Sequence, residues 1–160
     1  GDALSIACMK RKKWTNKKFV ITHPSGVLAT ALIQVKELMV TGKKIPIVLE
    51  TQTMQKAINE MSKKKLGIVC VKGKKGKINL ITDGDIRRNS NNLFQKKIIK
   101  ICSKNPAWIA DSATALSAIE KMNSLEISSL LVSPKKDIKK KSKKLIGILH
   151  IQHCLSAGIK

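Results

Sequence analysis

Two stretches of this chain can be laid over each other at a spacing of 61 residues. TMQKAINEM (53–61) falls on TALSAIEKM (114–122), and LGIVCV (66–71) falls on ISSLLV (127–132). After a longer lysine loop in the second copy, INLITDGDI (78–86) falls on IGILHIQHC (146–154). Each copy opens with a proline before a short apolar run, IPIVL (45–49) and NPAWIA (105–110). A repeat of this kind decides the architecture before any single element is read. Both copies give the same elements. A short strand follows the proline. A helix starts at Thr53 or Thr114, with apolar residues at helical spacing: Met54, Ala57, Ile58 and Met61, or Ala115, Ala118, Ile119 and Met122. Then come a buried strand (66–71 or 127–132), a lysine turn, a second strand (78–82 or 145–150) and a short helix. The class is α+β, a β-α-β-β-α unit present twice. One unit cannot bury both faces of a three-stranded sheet, so two copies packed face to face should close a shared core and leave clefts between them.

The formal net charge is +22. Such a balance raises nucleic-acid binding, but the arginine that best grips phosphate and guanine is nearly absent: only Arg11, Arg87 and Arg88. Stacking aromatics are limited to Trp14, Phe19, Phe94 and Trp108. The lysine runs fall at turns, at 72–77 and 135–144. We read the charge as a solvated lysine bias rather than as a nucleic-acid surface. No apolar run approaches the length of a membrane span, and the start does not read as a signal peptide. Cys8, Cys70, Cys102 and Cys154 are far apart and form no C-x-x-C, so they read as reduced, mostly buried thiols in a cytoplasmic protein. The chain starts at Gly1 rather than Met, which suggests a piece of a longer protein.

LITDGDIRR (80–88) carries the chemistry. An apolar strand delivers the chain to the start of a helix, where free backbone N–H groups suit phosphate. Asp85 can accept from two vicinal hydroxyls, and Arg87 and Arg88 add phosphate affinity. The plain alternative is a capped turn, with Asp83-Gly84 as its dipeptide and Asp85 as the cap. A calcium loop does not fit, because later oxygen ligands and a closing Glu are missing. The second copy has His150-Ile151-Gln152-His153 at this place. His150, His153 and Cys154 raise zinc, but no fourth ligand is evident, and we assign no metal. His150 and His153 instead read as a polar lining of the cleft.

With Thr82 and Asp85 forming T-x-x-D between last strand and last helix, residues 35–160 resemble a tandem CBS pair, the regulatory module that binds nucleotides. The resemblance implies that Thr82 and Asp85 contact ribose hydroxyls and phosphate, with the base near the first strand. Together with the residues read above, the candidate ligand set is Thr82, Asp83, Asp85, Arg87, Arg88, His150 and His153. The degraded signature of the second copy weakens that half or changes its ligand.

The first residues belong to neither copy. GDALSIACMKRKK reads as an amphipathic helix, and Ser25 as the N-cap of a second. Gly1 to Leu4, then Phe19, His23, Pro24, Gly26 and Leu28, resemble the end of the sugar isomerase (SIS) domain of the D-arabinose-5-phosphate isomerase family. In that family a CBS pair with T-D-G-D-L-R-R follows, matched here by Thr82 to Arg88. Ser25 and Ala29 depart from the family's glycines. The resemblance implies residues 1–34 as SIS tail and linker, 35–92 as the first CBS repeat and 93–160 as the second. It implies interconversion of D-arabinose 5-phosphate and D-ribulose 5-phosphate for the parent enzyme, in Kdo and lipopolysaccharide synthesis. His23 is the one catalytic residue carried over, and an isolated histidine is not an active site. The expected role is ligand sensing without a required cofactor. An adenine nucleotide or CMP-Kdo is the candidate regulator, and the missing SIS domain and a homo-oligomer built through CBS pairs are the partners. The rival readings are a basic module that touches nucleic acid and a purely structural dimerisation module.

Overall fold

The computed structural model describes residues 32–159. The 1–34 reading, including His23, therefore lies almost wholly outside the described residues. Each repeat builds one three-stranded sheet, in the order β1-β2-β3 and β4-β5-β6. In the first, β1 (Ile47–Leu49) runs parallel to β2 (Ile68–Lys72), and β2 runs antiparallel to β3 (Ile78–Thr82). In the second, β4 (Trp108–Ala110), β5 (Ser129–Ser133) and β6 (Gly147–His150) repeat the pattern. A parallel pair needs a crossover. Here it is α2 (Met54–Lys64) or α5 (Ala115–Ser124), and α1 is the single turn Val35–Leu38. The hydroxyls of Thr53 and Thr114 accept from Lys56 and Ser117 N–H, so both helices start where a threonine can cap them.

The middle strands begin two residues later than their apolar runs. Gly67 has φ +64°, and Glu126, one helix end later, has φ 53°; each turns the chain out of extended conformation before the strand can pair. Ile127 N–H also closes back onto Met122 C=O. β6 likewise starts at Gly147 rather than 145, because the long lysine loop reaches the ladder late. The closing helices are α3 (Asp83–Arg88) and α6 (Ile151–Ser156), and α4 (Ile98–Ile101) lies between the repeats in sequence.

Alternation along the strands sorts the core into three layers. Val69, Val71 and Ile81 face the helices of the first repeat, and Leu130, Val132 and Leu149 face those of the second. Ile68, Cys70, Ile78 and Leu80 meet Leu131 and Ile148 in a shared middle layer. The repeats are thus packed face to face, as the sequence predicts. Their lead-in segments cross over. Ile33 and Val35 are buried in the second repeat's core, with Val35 N–H donating to Ala113 C=O and Val40 bridging Ile148. Leu93, Ile98 and Ile101 are buried in the first repeat's core, and Ser103 bridges Leu80. Each core is therefore completed by chain that precedes the other repeat. No helix among the described residues is long and apolar enough to cross a membrane.

Candidate ligand cleft between the repeats

The face-to-face packing brings the ends of β3 and β6 to one cleft of about 700 Å³. Its wall includes Thr82, Asp83, Asp85, Arg87, Arg88 and His150. His153 is not on that wall, and its assignment as a lining residue is corrected. It stands behind His150, the two rings edge to face at 6.0 Å between centroids, and its Nδ1 accepts from His150 N–H at 3.4 Å.

Asp85 organises the first half of the cleft. Its Oδ2 accepts from Thr82 N–H at 2.9 Å and from the Thr82 hydroxyl at 2.8 Å, while Asp85 N–H donates to that hydroxyl at 3.2 Å. Its Oδ1 accepts from Arg88 Nη2 at 2.6 Å. The capped-turn geometry is therefore present, and it leaves Arg88 reaching outward, its side chain 70% exposed. Asp83 N–H is donated to Gly67 C=O at 3.0 Å. A Cβ at Gly67 would come within 2.8 Å of Asp83 Oδ2, so the glycine lets the carboxylate lie against the backbone. The N–H groups of Asp83 and Asp85 are thus already taken, so α3, only six residues long, offers less than a fully free helix start.

The second half repeats the cap with imidazoles. Gln152 N–H donates to His150 Nδ1 at 3.2 Å, which leaves Nε2 as the donor of the neutral ring. Burial lowers the pKa of His150, and the neighbouring His153 lowers it further; burial also lowers that of His153. Ser129 was not anticipated. It pairs with His150 across the β5–β6 ladder, lines the cleft, is 7% exposed, and its hydroxyl has no hydrogen-bond partner. Its counterpart in the first repeat is Ile68, which pairs with Thr82. The signal was a serine falling on an isoleucine when the copies are overlaid.

Three carboxylates (Asp83, Asp85, Glu126) and two guanidiniums line the cleft, and no lysine does. Such a balance suits hydroxyl recognition together with modest anionic charge. Cys70, Cys102 and Cys154 are buried and free, and burial raises the Cys154 thiol. Among the described residues no cluster of three or more histidines, cysteines or carboxylates is arranged to hold a metal.

Two like units whose strand-to-helix junctions open on one shared cleft define a tandem ligand-cleft module. The chain belongs to the CBS-domain family, whose CBS domain matches residues 35–92 and 98–160. It is 41% identical over 137 residues to the arabinose 5-phosphate isomerase of Francisella tularensis subsp. tularensis (strain SCHU S4), covering 82% of this chain and 42% of that protein. Against the arabinose 5-phosphate isomerase of Escherichia coli (strain K12) it is 30% identical, covering 99% of this chain and 48% of that one. The chain thus spans about half the length of these curated relatives. In fold it is similar to the CBS domain protein PAE2072 from Pyrobaculum aerophilum complexed with AMP, with a TM-score of 0.62 and 22% identity, covering 76% of this chain and 89% of that one.

Proposed function

We propose that this CBS pair is the nucleotide-responsive regulatory part of an arabinose-5-phosphate isomerase, and that its cleft takes one nucleoside monophosphate. The observation that carries this is the convergence of Thr82, Asp85, Arg87, Arg88 and His150 on one cavity of ligand size, about 700 Å³. Asp85 and Thr82 receive the ribose hydroxyls, Arg87 and Arg88 neutralise the phosphate, and Ser129 and His150 meet the base. The AMP complex of a CBS pair of the same fold supports an adenine nucleotide. The similarity to arabinose 5-phosphate isomerases supports the parent reaction, and CMP-Kdo is the competing regulator. The buried free thiols fit a cytoplasmic setting, and CBS pairs of this kind would hold the parent enzyme as a homo-oligomer. The chain alone is expected not to isomerise arabinose 5-phosphate.

The test is calorimetric titration of AMP, CMP and CMP-Kdo into the wild type and Asp85→Ala. Leaving a buried ribose hydroxyl without its acceptor costs on the order of 1–3 kcal/mol, so Asp85→Ala should weaken binding roughly ten- to a hundredfold. Equal binding by wild type and variant would reduce the cleft's first half to a capped turn.

A further inference from the structure

A second cavity lies at the other end of the same strands. β3 runs from Ile78, on its wall, to Thr82 in the cleft described above; the loop before β6 contributes Lys141 and Lys143 to the same wall. This cavity is also about 700 Å³. Lys75 and Lys77 from the β2–β3 turn, Lys104 from the segment before β4, and Lys141 and Lys143 from the β5–β6 loop all line it. No acidic residue does, and among the described residues none of these five lysines is in an ion pair. A uniform lysine bias would place lysines in both cavities. The first has none, so the two cavities differ in kind.

Ile78, Pro106 and Trp108 give this cavity an apolar wall with one planar ring. Five lysines round one concave site raise its positive potential, with the Lys143 ammonium donating to Lys140 C=O at 3.1 Å, and such a potential favours an anion of several charges. Lysine meets phosphate as a point charge, without the planar fork of arginine. We propose that this lysine-lined cavity binds a small polyphosphate anion, of the nucleoside di- or triphosphate type, against Trp108. A concave site of this volume suits a small molecule better than an extended nucleic-acid backbone. Asn105 and Pro106 wall both cavities.

Trp108 supplies the readout once Trp14 is replaced by Phe in the full chain. Inorganic tripolyphosphate, titrated at about 0.15 M salt to screen loose surface charge, should give a saturable change in its emission. Lys104→Gln combined with Lys143→Gln should weaken that binding tenfold or more. Asp85→Ala, which acts in the other cleft, should leave it unchanged, so failure here is separable from failure of the nucleotide reading. Calorimetry of the same titration checks the case in which binding leaves the emission unmoved. The proposal is overturned by absence of both signals, by an identical curve with sulfate at equal ionic strength, by an unweakened double variant, or by duplex DNA displacing tripolyphosphate at a lower phosphate concentration.

Discussion

Thr82 with Asp85, and His150 with His153, occupy corresponding junctions and solve the capping problem with different chemistry. Asp85 is held by hydrogen bonds from Thr82 and Arg88; His150 is a neutral acceptor toward Gln152 N–H. That difference has a pH consequence. Burial holds both imidazoles below the ordinary histidine value, so the unfolded chain binds more protons than the folded one. The contribution of the pair to stability is full above about pH 6.5, the unperturbed histidine value, and is lost as pH falls through the lower folded values. Thermal melts should therefore drop from about pH 7.5 to about pH 5.5, and His150→Asn, which keeps a capping side chain, should flatten that slope. An unchanged slope would mean that His150 is protonated as easily folded as unfolded. Ser129→Ala bears on the same half of the cleft. Its hydroxyl has no partner within the protein, so the fold should lose little; under the nucleotide reading AMP affinity should fall several-fold by calorimetry.

Among the elements, the crossover helices are the parts most fully written in the sequence. Thr53 and Thr114 each hold a first-turn N–H, and Thr→Ala at either should cost about 1 kcal/mol in chemical denaturation, with no change in the denaturant slope. Repeat spacing and apolar periodicity located these helices and the strands between them, because burial writes its period directly into residue type. The strand starts were less legible. Leu66 and Ile127 are apolar like the strands they precede, and nothing in their type announces the left-handed residues at 67 and 126. The crossing of the lead-in segments was not legible at all. Ile33, Val35, Ile98 and Ile101 show that they will be buried but not in which core. In the cleft, Thr82 and Asp85 stood out by spacing. That Asp83 and Asp85 N–H are already taken follows from hydrogen bonds that only the folded turn reveals, and Ser129 was hidden within an apolar run.

Over the whole molecule, the crossed lead-ins and the shared middle layer leave neither repeat a complete core of its own. Without the chain that precedes the other copy, the first repeat loses Leu93, Ile98 and Ile101, and the second loses Ile33 and Val35. The middle layer, with Leu131 and Ile148 against Ile68, Cys70 and Leu80, exists only when both sheets are present. The two copies should therefore unfold in one transition despite being separate repeats in sequence. Trp108 reports on the second repeat. Cys70 reports on the first, since burial pushes its thiol up to about 12 and keeps it unreactive until the sheet opens. In the Trp14→Phe chain, denaturation followed by Trp108 emission and by mass-resolved labelling of Cys70 should give coincident midpoints. Leu131, 1% exposed in the middle layer, provides the decisive variant. Leu131→Ala should cost about 2–5 kcal/mol and shift both midpoints together, although the substitution lies in the second repeat and Cys70 in the first. A shift in the Trp108 transition with Cys70 protection unmoved would show that the repeats fold independently, and that the crossing segments dock without coupling them.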